Sequence, residues 1–313
     1  MKRDEQPAIA RELPEIASVD APSRKRAIAT RLRDYLTLTK PRVSLLAVFT
    51  AFIGMLLAAP VAPPASTVVG GVIGIWLLAA ASFALNCLLE AAVDARMKRT
   101  QRRPTAQGRL STSETVLFAL TLGALGSAVL VLFTNPLTWG LTVATFFGYA
   151  FLYTLLLKPN TPQNIVIGGL FGAMPPLLGW TAVANDVTPE PLLLVLIIFL
   201  WTPPHFWALA LVRQEDYRRS GLPMLPITHG RAYTLLSMVL YTWLLFAASL
   251  LPIAIGMSGA LYALAAFVLG ARFLWLVHRL RRHYRDEASL SVFKYSLAYL
   301  ALLFAAMLFD HYL

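Results

Sequence analysis

The chain has 313 residues, of which 58% are hydrophobic and 14% are charged, and its formal net charge is +11. Soluble domains carry about 25% charged residues, so this composition excludes an ordinary soluble protein and indicates a polytopic membrane protein. The single cysteine, Cys87, excludes an intramolecular disulfide framework and a cysteine-based zinc site. The excess of positive charge does not indicate a nucleic-acid partner, and we expect none, because in a membrane protein the placement of the cations carries the information.

The first part of the chain, residues 1–34, is polar, rich in both charges and contains three prolines. It is predicted to be a cytoplasmic, largely disordered basic tail. In the alternative, the segment "SRKRAIATRLRDYL" forms a basic amphipathic helix on the membrane surface. Residues 35–313 are expected to form one intramembrane domain.

Apolar runs separated by proline, glycine and charged residues predict about nine membrane-spanning helices. The expected fold is an all-α polytopic bundle, because a helix satisfies its own backbone amides in lipid and no alternating barrel pattern is present. The predicted spans are residues 38–59, 67–93, 114–134, 137–157, 163–183, 190–212, 233–255, 258–279 and 289–309.

The cations are distributed on one side of this predicted topology. All 27 Lys and Arg residues precede the first span or lie in and beside the even-numbered connections. The positive-inside rule then predicts a multi-pass protein of the cytoplasmic (inner) membrane with a cytoplasmic N-terminus and an outer C-terminus. The cation-free connections are "APVAPPAS", "TNP", "VANDVTPEP" and "GMSG".

Asn86, Glu90 and Asp94 follow one another at intervals of four near the end of the second predicted span. Four residues of α-helix rotate by about 40° and rise by about 6 Å, so these residues form one polar stripe on one face. Carboxylates at membrane depth are candidates for a functional site. In the alternative, Asp94 is only the first loop residue and Glu90 pairs with a local arginine such as Arg96.

The polar stripe (Asn86, Glu90 and Asp94) is followed at once by a basic run. Two carboxylates and an amide oxygen suit Mg²⁺, which keeps bound waters and bridges to substrate phosphates. Neighbouring cations would complement the remaining phosphate oxygens. The pattern predicts a diphosphate site reached from the cytoplasm, with a central cavity behind it. The cations of the run are Arg96, Lys98, Arg99, Arg102 and Arg103.

The whole segment at residues 86–104, "NCLLEAAVDARMKRTQRRP", resembles the first Asp-rich motif of the UbiA-type intramembrane prenyltransferases. Its middle glutamate and its continuation "DxxMxRTxxRP" resemble more narrowly the branch of that superfamily that farnesylates haem. The resemblance extends over roughly residues 38–310. Further matching stretches, in chain order, are "TKPRV", "NIVIGG", "GAMPPLLGW", "WTPPHFWALAL" and "DYRRSGLPMLP".

The resemblance implies a Mg²⁺-dependent enzyme that transfers a farnesyl group from farnesyl diphosphate to a vinyl group of haem B, giving haem O. Haem B is then a substrate, and the expected partners are the lipid bilayer and haem-modifying or oxidase-assembly proteins. The implied catalytic and metal-binding residues are Asn86, Glu90, Asp94 and Asp216. The superfamily has a second D-x-x-x-D where this chain has Asp216 followed by Ser220, which leaves the number of metal ions open.

Other residues are expected to line the two substrate sites. Pro203 and Pro204 should kink the sixth span beside His205, although a hydrogen bond between helices is the alternative role of that histidine. The further cations predicted to contact diphosphate are Lys40, Arg42, Lys158 and Arg218. The alternative role is interface anchoring for Lys40 and Arg42 and solvation for Arg218, and for the segment of Lys158 it is a plain turn followed by a packing pair of glycines. The predicted acceptor pocket consists of Tyr153, Asn164, His205, Trp207 and Tyr217.

Two other functions remain open at this point. One is prenyl transfer to a quinone or chlorophyll-type acceptor. The other is a cation-coupled transporter in which Glu90, Asp94 and Asp216 form a cation or proton relay. The absence of a charged stripe from the outer half of the predicted spans favours an enzyme.

Overall fold

The structure, a computed structural model, describes residues 24–313 and the side chains from residue 28 onward. Within that range the chain is helical and contains no strand. A π-helix, Gly148–Leu157, lies between the sixth and seventh α-helices. The α-helices are α1 Arg24–Leu38, α2 Pro41–Leu57, α3 Ala65–Leu89, α4 Ala91–Asp94, α5 Thr112–Phe133, α6 Pro136–Phe147, α7 Lys158–Asn160, α8 Asn164–Ala173, α9 Pro175–Ala184, α10 Pro189–Val212, α11 Gln214–Ser220, α12 Leu225–Thr228, α13 Gly230–Ala254, α14 Ala260–Arg282 and α15 Asp286–His311.

The long helices account for the predicted spans. Among the described residues, 8 helical segments are long and apolar enough to cross a membrane, and α1 with α2, a pair bent by 51°, can supply a ninth. Each predicted span overlaps one of these segments. The prediction of an all-α polytopic membrane bundle is therefore confirmed, whereas a central cavity open to the cytoplasm stays a prediction.

The chain bends between α1 and α2 at Lys40, whose backbone is left-handed with φ 47° and ψ 60°. A non-glycine residue in this region is strained, and the following Pro41 also disfavours a right-handed helical conformation at Lys40. Residues 24–34 are helical, as the alternative of a helix over "SRKRAIATRLRDYL" expects, while its position on a membrane surface stays a prediction. Residues 1–23 lie outside the described residues, so the prediction of a disordered tail stays untested there.

Helix α1 is fastened to the rest of the protein by its polar and aromatic side chains. Arg109 donates two hydrogen bonds to the carboxylate of Asp34, at 3.0 and 2.9 Å. Arg31 pairs with Glu114, and the ring of Tyr35 packs against Phe118. These tertiary contacts offset the conformational entropy that is lost when the segment becomes ordered. The composition of the segment alone does not reveal them.

The second span is not one straight helix to residue 93 as predicted, because α3 ends at Leu89 and α4 begins at Ala91. Glu90 lies between them with φ −95° and ψ 6°. The helical hydrogen bonds nevertheless continue from Glu90 N to Asn86 O at 3.0 Å and from Asp94 N to Glu90 O at 2.8 Å. The polar stripe therefore keeps its common face across a local kink.

Helices α2 and α9 approach each other backbone to backbone. A Cβ atom added at Gly54 would overlap the carbonyl oxygen of Pro176, and one added at Gly179 would overlap the carbonyl oxygen of Ala51. Small residues allow this approach in membranes, where helix association depends on close packing. The contact fixes the first helical span against the second half of the fifth.

We expect Gly54→Ala and Gly179→Ala each to destabilise the protein by about 1–3 kcal/mol through overpacking. Gly123→Ala is the matched control, because no atom lies within 4 Å of an added Cβ there. The measurement is the thermal unfolding midpoint of each variant in detergent. Equal midpoints for all three variants would contradict the close approach of α2 and α9.

Candidate active site

The polar stripe lies buried where α3 meets α4. Asn86, Glu90 and Asp94 are 1%, 6% and 2% exposed. A buried carboxylate is tolerated only when it is paired or hydrogen-bonded, because desolvation of the charge is otherwise too costly. The surroundings of the stripe must therefore supply cations.

Each residue of the stripe accepts a hydrogen bond from a different cation. Lys40 Nζ donates to Asn86 Oδ1 at 2.6 Å, and Lys158 Nζ donates to Glu90 Oε1 at 2.5 Å. Arg103 Nη1 donates to Asp94 Oδ2 at 2.6 Å. We call this set of six residues the charged centre.

The three cations come from three separate parts of the chain. Lys40 stands at the strained bend between α1 and α2, and Lys158 begins α7 directly after the π-helix. Arg103 belongs to the 95–111 loop. The alternative in which Glu90 pairs with a local arginine is wrong, since Lys158 is 68 residues away in sequence.

Hydroxyl groups hold the 95–111 loop against the stripe. Thr100 Oγ1 donates to the carbonyl of Asp94 at 3.1 Å, and Thr105 Oγ1 donates to the carbonyl of Cys87 at 2.8 Å. Both threonines are buried. The loop therefore folds back over the end of α3 and brings Arg103 to Asp94.

The π-helix supplies a residue that the sequence does not predict for the site. Thr154 Oγ1 accepts a hydrogen bond from Asn86 Nδ2 at 3.0 Å and donates to the carbonyl of Tyr149 at 2.9 Å. The amide of Asn86 is thereby held with its oxygen toward Lys40. The available signal was the threonine of the apolar stretch "GYAFLYTLLL", because such residues often bond across membrane helices.

The second half of the chain contributes α11. Asp216 and Tyr217 are buried there, at 6% and 4% exposed. Tyr217 packs in one cluster with Met97 of the 95–111 loop and with Ile165 of α8, so α11 meets that loop. Burial raises the pKa of Tyr217 and keeps the phenol protonated, although the charges of neighbouring cations oppose this shift.

The remaining cations of the basic run are exposed. None of them forms an ion pair with a described carboxylate, so their guanidinium and ammonium groups are open to an anionic ligand. Their predicted role at the diphosphate stays a prediction. These residues are Arg96, Lys98, Arg99 and Arg102, and Arg42 near the start of α2 is likewise exposed and without an ion pair to a described carboxylate.

Arg218 is not brought to the charged centre by any contact of the described residues. It pairs with Glu215 on the same exposed face of α11, at 2.8 Å. Hydrogen bonds from Arg219 and then from Arg218 lower the pKa of Glu215. The outward direction of Arg218 follows from its spacing along α11, because its neighbour Asp216 points the other way into the protein.

The predicted acceptor residues divide into two groups. The ring of Tyr153 lies 5.9 Å from Lys158 Nζ and abuts Gly168, so it borders the charged centre. Asn164 is fully buried, and its Oδ1 has no hydrogen-bond partner among the described residues. Tyr217 belongs with them, through the cluster of α11.

His205 and Trp207 lie elsewhere. The ring of His205 is stacked between Trp201 and Phe293, and its Nδ1 is 2.6 Å from Ser296 Oγ. Trp207 is buried against Tyr241. The observed contacts of His205 match the alternative role of a hydrogen bond between helices, here α10 and α15, and its part in the acceptor pocket stays a prediction.

Glu90, Asp94 and Asp216 do not form a closed protein cage for a metal ion. Within residues 24–313, no group of 3 or more His, Cys, Asp or Glu side chains is placed to hold one. The donor chemistry still fits Mg²⁺, since Glu90 and Asp94 are buried carboxylates of one stripe and Mg²⁺ takes its other ligands from water and phosphate. The site therefore suits a metal ion that arrives with its substrate.

Comparison with known proteins identifies the family of this chain. The sequence profile of the UbiA prenyltransferase family matches residues 47–306. The chain belongs to the UbiA prenyltransferase family. The match covers every long span after the start of α2, including the charged centre's stripe, loop and π-helix.

Relatives within the UbiA family are similar over nearly their whole length. The chain is 59% identical, over 282 residues, to a protein named protoheme IX farnesyltransferase in Polynucleobacter asymbioticus, covering 90% of this chain and 95% of that protein. It is 57% identical to one of the same name in Herminiimonas arsenicoxydans, covering 91% and 97%.

Solved structures share the UbiA fold at low identity. A digeranylgeranylglyceryl phosphate synthase superposes with a TM-score of 0.75 at 19% identity, covering 90% of this chain and 99% of that chain. A UbiA homologue from Archaeoglobus fulgidus bound to DMAPP and Mg²⁺ superposes with a TM-score of 0.61 at 16% identity, covering 88% and 99%. These likenesses show the fold.

The buried pair of Lys158 with Glu90 gives a stability prediction. We expect Lys158→Met to destabilise the protein by about 3–5 kcal/mol, because Glu90 is left buried without its counter-charge. The double variant Lys158→Met with Glu90→Gln should recover most of that loss. The measurement is chemical unfolding in detergent.

The matched control is the exposed pair on α11, whose side chains are 63% and 59% exposed. Arg218→Met should change stability by no more than about 1 kcal/mol. A loss at Lys158 no larger than the loss at Arg218 would contradict the burial of the charged centre.

Proposed function

We propose that this chain transfers a farnesyl group from farnesyl diphosphate to a vinyl group of haem B, giving haem O and diphosphate. The observation that carries this proposal is the charged centre, in which a buried polar stripe meets three cations from distant parts of the chain. The choice of haem as acceptor is supported by relatives that are 54–59% identical and bear the name protoheme IX farnesyltransferase.

We propose that Mg²⁺ binds at this centre together with the diphosphate. Glu90, Asp94 and Asp216 would supply carboxylate oxygens, with Asn86 as an amide ligand, directly or through water. Support comes from the donor chemistry and from the Archaeoglobus fulgidus homologue, which is described as bound to DMAPP and Mg²⁺. Bound Mg²⁺ would stabilise the negative charge that develops on the leaving diphosphate.

Substrate binding requires the residues of the charged centre to exchange partners. The ammonium and guanidinium groups of Lys40, Lys158 and Arg103 now donate to the stripe. A diphosphate offers stronger acceptors for the same N–H groups, and the released carboxylate oxygens then become free for a metal ion. The stripe's cations would in this way move from compensating Glu90 and Asp94 to holding the leaving group.

The bond that breaks is the allylic C–O bond of farnesyl diphosphate. Its electron pair leaves with the diphosphate, where Lys40, Lys158 and Arg103 stabilise the charge in a water-poor site. The allylic carbocation adds to the terminal carbon of a haem vinyl group. One water then adds to the resulting cation and releases a proton, which gives the hydroxyethylfarnesyl group without a protein nucleophile.

We propose a location in the cytoplasmic membrane, with the N-terminus in the cytoplasm and the C-terminus outside. Support comes from the placement of all 27 Lys and Arg residues on one side of the topology. The charged centre then lies at the cytoplasmic side of the membrane, where the polar diphosphate group of farnesyl diphosphate would reach it. Haem-modifying or oxidase-assembly proteins remain the expected recipients of haem O.

The other functions that the sequence leaves open are less well supported. Membership of the UbiA prenyltransferase family favours an enzyme over a cation-coupled transporter. Transfer to a quinone or chlorophyll-type acceptor uses the same diphosphate site, so only the acceptor specificity separates it from transfer to haem B.

The direct test incubates purified protein with labelled farnesyl diphosphate and Mg²⁺, offering haem B or a quinone precursor as acceptor. We expect label in haem O only.

Glu90→Gln and Asp94→Asn should each lower the rate of label transfer by about 10²-fold or more, because each removes charge from the diphosphate site. Glu215→Gln, which changes an exposed carboxylate of α11, is the matched control and should keep the wild-type rate. Undiminished activity in both stripe variants would overturn the metal assignment, and label in the quinone precursor would overturn the acceptor.

Thr154 gives a separate prediction for the same reaction. Thr154→Val removes the hydroxyl that orients Asn86, and we expect about a tenfold rise in the KM for farnesyl diphosphate, as for other supporting partners of ligands. Thr154→Ser should restore the wild-type value. Thr142→Val, at a buried threonine whose hydroxyl bonds only to the carbonyl of Thr138, is the matched control. The same KM in all variants would remove Thr154 from the site.

A further inference from the structure

A concave site lies apart from the charged centre. A cleft of about 750 Å³ is formed by α11, the loop through α12, the start of α13 and the end of α14 with the turn that follows it. Gln214 and Arg218 line it from α11, while Asp216 on the same helix is buried. The cleft therefore lies on the opposite side of α11 from Asp216, and no step of the proposed reaction uses it.

The rim of this cleft is strongly basic. Its lining includes four arginines and no carboxylate, and we call it the arginine cleft: Arg218, Arg231, Arg281 and Arg282. Arg281 and Arg282 are exposed and form no ion pair with a described residue. The rim thus has guanidinium groups that no protein acid compensates.

Two carboxylates that flank the arginine cleft in sequence, Glu215 and Asp286, are already engaged, whereas Glu287 lies near Tyr284 and forms no ion pair with a described residue. Glu215 pairs with both Arg218 and Arg219 on the surface of α11. Asp286 accepts a hydrogen bond of 2.7 Å from the hydroxyl of Tyr284. The ring of Tyr284 in turn lies 4.3 Å from the guanidinium carbon of Arg231, which holds that arginine at the rim.

The floor of the cleft is apolar. Pro226 and Leu235 are buried there, and Ile227 lies beside them. A small, fully hydrated anion such as inorganic phosphate would gain nothing from an apolar floor. A basic rim over an apolar floor instead complements an amphiphile whose charged group sits beside its hydrocarbon part.

The position of the cleft at the ends of the membrane spans indicates the class of amphiphile that it would bind. It lies where α10 has just ended, where α13 begins at Gly230 and where α14 ends at Arg282. The ends of membrane spans lie at the level of the lipid headgroups. Basic pockets between spans at the cytoplasmic face recognise anionic lipid headgroups, and guanidinium groups bind phosphate with two parallel hydrogen bonds.

We propose that the arginine cleft binds the phosphate headgroup of an anionic phospholipid, with the adjoining glycerol and acyl carbons against Pro226, Ile227 and Leu235. In the alternative, these arginines only orient the protein in the membrane. That role depends on their positive charge and does not require that they line a cleft. Arg279 and Arg285 provide the comparison, since they belong to the same basic segment and do not line the cleft.

The test is native mass spectrometry of the full chain in detergent, with either phosphatidylglycerol or phosphatidylethanolamine added. We expect the wild type to retain one phosphatidylglycerol and no phosphatidylethanolamine. Arg281→Gln with Arg282→Gln should reduce that retention by about tenfold or more. The matched variant Arg279→Gln with Arg285→Gln removes the same charge from the same segment and should retain the lipid as the wild type does.

Equal losses in the two double variants would overturn the proposal, because they would show a general surface field and no site. Equal retention of the two lipids would overturn it as well. A third arm titrates inorganic pyrophosphate without lipid. If Arg281→Gln with Arg282→Gln abolished pyrophosphate binding but kept phosphatidylglycerol, the cleft would be a soluble-anion site and the lipid assignment would be wrong.

The thermal unfolding midpoint checks that each variant is folded. If the glutamine pair does not fold, Arg281→Lys with Arg282→Lys keeps the charge but loses the bidentate geometry, and we expect it to weaken phosphatidylglycerol retention severalfold. Unchanged retention in the lysine pair would then overturn the proposal. None of these measurements uses prenyl transfer, so their failure is distinct from failure of the proposed function.

Discussion

The burial of Glu90 and Asp94 is the constraint on which the arrangement of the site depends. A carboxylate at this depth needs a counter-charge, and no cation on α3 itself can supply one. Lys158 and Arg103 provide it from a later span and from a long loop, and Lys40 completes the set at Asn86. Three parts of the chain that are far apart in sequence are therefore held to one helix end.

Local structure that looks irregular follows from this constraint. The bend at Lys40 places its ammonium group at the stripe, although the left-handed backbone there is strained. The π-helix brings Thr154 to Asn86 and ends directly before Lys158. π-helical segments are often found at functional sites, and strain persists only where surrounding contacts impose it. The hydrogen bonds of the charged centre are such contacts.

The same polar atoms serve both the folded protein and the proposed reaction. The ion pairs that compensate the buried carboxylates also keep the cations that we propose to bind phosphate close to the proposed diphosphate site. Among the described residues the stripe is satisfied by nitrogen donors, and no group of 3 or more His, Cys, Asp or Glu side chains is placed to hold a metal ion. In the arginine cleft, Arg281 and Arg282 form no ion pair with a described residue, and these are the cations that we propose to bind a ligand from outside the protein.

The sequence by itself determined the all-helical membrane fold, the approximate spans, the polar stripe and the basic run, because hydropathy and spacing by four are local properties. Only the tertiary structure decided which cation meets which acceptor, that Thr154 orients Asn86, and that His205 stacks between Trp201 and Phe293. It also decided that residues 24–34 are helical and that the second span kinks at Glu90. These features depend on contacts between distant segments, whose free energies exceed the local preferences that a sequence pattern reports.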